Sequence, residues 1–307
     1  MRVTAILFAL GAALAYGASD FIGGRASTRA HFALVTAVGA GTSLVIALVA
    51  APVVSGTLSS TPLLWGAVSG LGSGLGTLFL YRGLARARVA VVAPTSGVLA
   101  AALPAGIAIA LGERPAPLAV VGLVLALPAV WLISGGGEAN GPASTEPPGP
   151  DGLSGPSGVL DGVLAGFGFG LLFFALDRAG DSAGLWPLTA GQAIAFALVT
   201  VVAVRRLVST PKATPVSALE SAGTPPPPGS QRWWHLAVVT GVLASAATLL
   251  FYASTTSGLL TIAAVLTSLY PAGTIVLARL ILDERISRLQ GLGLALAGCA
   301  VVLITLG

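Results

Sequence analysis

One stretch of about twenty uncharged residues after another constrains this chain more than any other feature. Residues 32–54, 89–111, 184–204 and 233–254 contain no Asp, Glu, Lys or Arg. Over 307 residues only 8% are charged and 55% are hydrophobic, whereas soluble domains carry about 25% charged residues. So few charges cannot cover a water-facing surface, so most of the exterior must face lipid. Without water, every backbone N–H and C=O must find an internal partner, which leaves helices or a closed barrel. A barrel would need alternating segments of about ten residues; the runs here are continuous and near the ~20 residues that cross a bilayer as a helix.

Ten apolar segments are expected, at about 3–24, 32–54, 62–84, 89–111, 117–134, 158–176, 184–204, 233–254, 259–281 and 287–306. The first follows Arg2 and resembles a signal peptide. Its hydrophobicity continues past Asp20, so a retained helix is expected. Residues 135–157 and 207–231 are rich in Pro, Gly and Ser and read as flexible or polyproline-like linkers. The first linker divides the chain into units 1–134 and 158–307.

The units are copies. Glu113-Arg114 recurs 171 positions later as Glu284-Arg285, and in the same register Gly70 answers to Gly241, Thr77 to Thr248, Tyr81 to Tyr252 and Gly122 to Gly293. Matches at Thr, Tyr, Glu and Arg are rare by chance in a chain of Ala, Leu and Val. Five helices per copy is an odd number, so the second copy enters the membrane from the other side. The expectation is an all-α membrane protein of ten transmembrane helices in two inverted five-helix repeats, an arrangement of secondary transporters. Twelve of the 15 basic residues fall in odd-numbered loops or at their edges, from Arg25 and Arg29 to Arg285 and Arg288. The positive-inside rule then puts those loops in the cytoplasm and both termini outside.

Composition narrows function by exclusion. The net charge of +4 comes from basic residues scattered over short loops, without the basic faces and aromatics of a nucleic-acid surface. Cys299 is the single cysteine, and His31 and His235 stand apart, so no catalytic metal centre, cofactor or enzyme activity is expected. The glycine run from Gly70 to Gly76 lacks a preceding strand and a Lys-Ser/Thr end. It reads as a close helix-packing surface, as do Gly166 and Gly170.

Several motifs resemble a known family. Phe251-Tyr252-Ala253, Thr261-Ile262-Ala263-Ala264-Val265, Tyr270-Pro271, Leu282-Asp283-Glu284-Arg285-Ile286-Ser287, Gln290-Gly291 and Ala297-Gly298 are similar to the repeated unit of EamA-type transporters, within the drug/metabolite transporter superfamily. The first half has a weaker version in Tyr81-Arg82-Gly83-Leu84, Val92-Ala93-Pro94 and Leu111-Gly112-Glu113-Arg114-Pro115. The resemblance implies a small-metabolite transporter in the cell membrane.

Candidate residues follow from the cost of polarity in a span. Asp20 and Asp177, mates at an offset of 157 with Gly11 and Gly168, are either solvated or paired at an interface, Asp177 with Arg178, or carboxylates that couple transport to protons. Asp20 is the first choice for coupling. Tyr16, Thr95, Ser96, Trp186, Gln192, Thr267, Ser268 and Tyr270 are candidate cavity residues; helix-to-helix hydrogen bonding is the commoner role for any one of them. Glu113, Arg114, Glu284 and Arg285 are read as helix-junction residues, with each carboxylate accepting from the N-terminus of the next helix. The function expected is alternating-access transport, with export favoured, of a small organic metabolite or drug-like compound, by a monomer or weak homo-oligomer. The rivals are a lipid-handling membrane protein and a non-transporting interaction or sensor protein.

Overall fold

The computed structural model describes residues 2–27, 29–54, 56–85, 89–135, 157–209, 233–282 and 287–306. Glu284 and Arg285, and nearly all of both expected linkers, lie outside the described residues. The helices are α1 (Arg2–Ser27), α2 (Phe32–Ala50), α3 (Ser60–Ala85), α4 (Val89–Ala110), α5 (Pro117–Gly135), α6 (Ser157–Ala179), α7 (Trp186–Ser209), α8 (Trp233–Ser257), α9 (Leu260–Thr267), α10 (Tyr270–Leu282) and α11 (Arg288–Leu306). No strand occurs among the described residues. Six of the helices, α1, α2, α3, α6, α7 and α8, are long and apolar enough to cross a membrane.

Local chemistry sets the helix ends. His31 Nδ1 accepts from Ala33 N at 3.2 Å at the start of α2. Before α11, Ser287 Oγ accepts from Gln290 N at 3.2 Å while Gln290 Oε1 accepts from Ser287 N at 2.9 Å, a reciprocal capping box. Gly180, with φ of +62°, ends α6 in the left-handed region that glycine enters at little cost.

The expected ninth segment, 259–281, is not one helix. It breaks at Ser268–Leu269 into α9 and α10. Pro271, second in α10, has no N–H to donate back to Thr267 and its ring crowds the preceding turn. Ser268 Oγ donates to Ala264 O at 2.8 Å at the break, a local compensation that membrane helices tolerate.

The helices sort into two groups of three. One is α3, α4 and α6; the other is α1, α8 and the α9–α10 pair. The first helix of each half thus lies against the other half. Between the groups α2 packs on α7 and α8, α7 packs on α3, and α5 packs on α11. Glycines carry the tightest crossings. Gly70 meets the backbone of Gly191, and Gly241 that of Gly39. A Cβ on Gly72 would fall 2.6 Å from Gly168 O, so only glycine lets these backbones approach so closely. Leu7, Leu14, Val49, Leu64 and Val124 cover the outside and are more than half exposed, as for a surface in contact with lipid tails.

Candidate functional site

A cavity of about 780 Å³, its mouth included, lies between the two groups. Its walls come from α1 (Tyr16, Ser19, Asp20), α2 (Thr36, Ser43), α3 (Ser73, Thr77, Tyr81), α6 (Phe169, Phe173), α7 (Gln192), α8 (Thr240, Thr248) and the first residue of α10, Tyr270. On α1, α2, α3 and α8 the lining residues fall mostly in the half of the helix nearest the odd-numbered loops, and on α6 and α7 mostly in the half nearest the even-numbered loops, so the cavity spans the middle of the bundle with Asp20 toward its odd-loop end.

Asp20 is the one charged residue among those walls. Neither a hydrogen bond nor an ion pair engages its carboxylate among the described residues. Tyr16, Tyr81 and Tyr270 lie within electrostatic reach of it. Each ring is held by a second contact: Tyr16 Oη shares a hydrogen bond with Thr248 Oγ1 at 2.9 Å, Tyr270 Oη shares one with Ser96 Oγ at 3.0 Å, and Tyr81 lies over Gly23. Phe173 packs on Phe251 at 4.4 Å between centroids and touches Tyr16 at 6.2 Å, and so joins the two groups at mid-height.

Below the cavity, toward the even-numbered loops, the groups are fastened together. Glu113 follows Gly112, whose φ of +109° turns the chain away from α4. Its carboxylate accepts from Leu260 N and Thr261 N, both at 2.9 Å, and from Thr261 Oγ1. These are the orphan donors of α9, whose own cap residue, Leu259, has no side-chain acceptor. The expected bond from Glu113 to the following helix is replaced by one to the opposite half, because the Gly112 turn and Pro115 direct the carboxylate outward from the hairpin. Arg114 is exposed beside it. Tyr252 Oη donates to the carbonyls of Gly180 and Gly184, and Thr57 N donates to Ser182 O at 2.9 Å.

The cavity gathers Tyr16, Asp20, Gln192 and Tyr270 from the expected set. It does not gather the others. Ser96 is fully buried behind Tyr270, Thr95 lies against Gly162 of α6, and Thr267 and Ser268 are fully buried at the α9–α10 break, where their hydroxyls serve the backbones of Ala9 and Ala264. Trp186 opens α7, half-buried and away from the cavity walls. Asp177 is also outside the walls, within electrostatic reach of Glu113 and Arg178. Thr77 was marked in sequence only as a repeat match, and Tyr81 as a repeat match and part of the Tyr81-Arg82-Gly83-Leu84 motif. Asp161 gave no signal beyond being an acid at a segment's edge. It is 1% exposed and accepts from Arg82 Nε at 2.9 Å and from Nη2, with the guanidinium 4.7 Å above the Phe79 ring.

Residues 156–306 match the model of the EamA-like transporter family. Through this half the chain belongs to the EamA-like transporter family. The family lies within the drug/metabolite transporter superfamily, and its members are membrane transporters and generally not enzymes. This EamA-like protein is accordingly a multi-pass membrane protein. A solved structure described only as the crystal structure of a protein superposes with a TM-score of 0.62 at 18% identity, over 100% of this chain and 98% of its own. At that identity the likeness concerns the fold alone. No curated protein matches the chain.

Proposed function

We propose that this EamA-like protein is a ten-span secondary transporter that carries a small organic molecule across the cell membrane by alternating access. The observation that carries the reading is the cavity between two helix groups, with an unpartnered carboxylate in its wall and, among the described residues, the Glu113 and Tyr252 contacts joining the groups on the even-loop side.

Two inverted repeats, 1–134 and 158–307, supply the two groups. Exchange of contacts between repeat mates supports this. Gly70 meets Gly191 as Gly241 meets Gly39. Gly122 meets Ile304 as Gly293 meets Ile133, and Ile133 and Ile304 are themselves 171 apart. Tyr81 covers Gly23 as Tyr252 bonds Gly180, with 23 and 180 separated by 157. Such reciprocity is expected of a two-fold axis in the membrane plane. The α4, α5, paired α9–α10 and α11 segments complete ten spans.

With odd-numbered loops in the cytoplasm by their basic residues, the Asp20 end of the cavity faces the cytoplasm and the Glu113 and Tyr252 contacts close the outer side. Substrate enters from within and leaves when the two groups rock apart at that side. Asp20 exchanges a proton for substrate. The cavity is built within one chain, so a monomer is sufficient.

The test is flux of a panel of amines, amino acids, sugars and nucleosides in liposomes containing Cys299→Ser protein with Glu113→Cys and Leu259→Cys, which stand on opposite groups at that side. A short bis-methanethiosulfonate linker between them should stop flux and reduction should restore it. Flux that survives a verified cross-link would overturn alternating access, and a panel that never moves would overturn transport.

A further inference from the structure

Resting on that transport reading, we propose that the cavity selects organic cations: a protonated amine against Asp20, with an apolar or aromatic body against Phe169 and Phe173. The first ground is charge. Asp20 stands among neutral walls, and among the described residues no Lys, Arg or His lines the cavity. The nearest candidate on α3, Arg82, is taken by Asp161 and Phe79. A carboxylate withdrawn from water takes up either a proton or a counter-charge, and a cationic ligand supplies the second in exchange for the first.

The second ground is the direction of the hydroxyls. Thr36 donates to Phe32 O, Thr77 to Ser73 O, Thr240 to Leu236 O, Thr248 to Ala244 O, Ser43 to Gly241 O and Ser19 to Thr240 O. Each has its single proton committed to a backbone carbonyl and turns only lone pairs toward a ligand. The α9–α10 break leaves few free donors either, because Ser268 N, Leu269 N and Ala272 N bond back to Ala264, Leu266 and Leu269. Gln192 and Ser73 also line the cavity and can donate, but the committed hydroxyls and Asp20 make most of its polar wall an acceptor surface. An ammonium group, with donors only, fits it; a substrate carboxylate would meet lone pairs and Asp20. The aromatic rings add a cation–π contribution at the same site.

The experiment uses purified full-length protein in nanodiscs and matched probes on phenyl and indolyl bodies. The phenyl set is 2-phenylethylamine, phenylalanine, 3-phenylpropionate and 2-phenylethanol, with the corresponding indolyl set beside it. Binding is read by calorimetry and by the shift in Tm. The amines should bind at least tenfold more tightly than the zwitterions, and the anions should not bind. Asp20→Asn should weaken amine binding about 30-fold or more, the low end for losing one partner of a desolvated charge pair, and leave the alcohols unchanged. Tm of the ligand-free variant reports whether it is folded. If Asp20→Asn proves unfolded, Asp20→Glu takes its place and should retain amine-over-zwitterion selection. Equal binding of zwitterion and amine, an unchanged amine affinity in a folded Asp20→Asn, or no binding by any amine overturns the proposal. Transport is judged separately: amines that bind but never cross liposomes leave cation selection standing and sink the transport reading, and flux confined to zwitterions or sugars does the reverse.

Discussion

Asp20 and Asp177 are matched acids at an offset of 157, yet they experience different surroundings. Asp20 faces the cavity without a partner and has three tyrosines around it. Asp177 sits outside the cavity, within reach of its neighbour Arg178 and of Glu113 from α4. Part of the difference is local: Asp20 is followed by Phe21, Asp177 by an arginine. The rest is conformational. The Glu113 contacts lie at the Asp177 end, and the cavity lies beside Asp20.

The sharpest way to break this comparison is to neutralise each acid in turn. Asp20→Asn is expected to abolish flux of a bound amine, whereas Asp177→Asn keeps flux within about tenfold of the parent, since its interaction with an exposed arginine is weak. Comparable losses in both variants would mean that the halves do the same work.

A second asymmetry is larger in stability than in function. Arg82 pairs with the buried Asp161, but their repeat mates are Ala253 and Thr4. Arg82→Met leaves a buried carboxylate alone and should cost about 3–5 kcal/mol, and a second change, Asp161→Leu, should recover most of it. Denaturation of the three proteins in detergent measures this. Recovery that fails in the double variant would point to lost packing on Phe79.

Smaller still is the contrast between Gly168 and its mate Gly11. A Cβ at 168 would stand 2.5 Å from Gly76 N, while one at 11 meets only the mobile end of Leu250 at 3.3 Å. Gly168→Ala should destabilise by about 1–3 kcal/mol through overpacking; Gly11→Ala should stay within about 0.5 kcal/mol of the parent. Thermal denaturation of both tests whether α3–α6 and α1–α8 crossings are unequal.

The smallest expected effect concerns the outer fastening. Glu113→Gln removes the charge that complements the α9 N-terminus and weakens one of its acceptors, worth about 1 kcal/mol. Hydrogen exchange at Leu260 and Thr261 should quicken about fivefold, with exchange in α3 unchanged. Equal protection in parent and variant would show that the bond does not hold the closed side.

Much of this was legible in the sequence, for reasons that can be named. Helix positions follow from apolar runs because lipid forbids any other spanning backbone. The Gly70–Gly76 packing surface was legible because small residues at i and i+4 serve helix contact. Asp20 was legible because an acid in a span is costly unless used. The division of α9 from α10 was less so: Tyr270-Pro271 marks a disturbed helix, yet the same pattern also suits a kinked continuous one. Thr95, Ser96, Thr267 and Ser268 look like cavity residues by depth, but helix rotation turns them into packed interfaces. Asp161 was overlooked because its partner is 79 positions away on another helix.

The sequence by itself determined the solvent and the helical class, because each rests on composition within single segments, and it supplied the proposed duplication and the acid on which the proposed function turns. Only the tertiary structure decided which side of each helix meets which neighbour. That choice made Glu113 a cap for a helix of the other half and Arg82 the counter-ion of Asp161. It also left Asp20, of two matched acids, facing open space. Those outcomes depend on helix rotation and on contacts between distant segments, which local spacing does not encode.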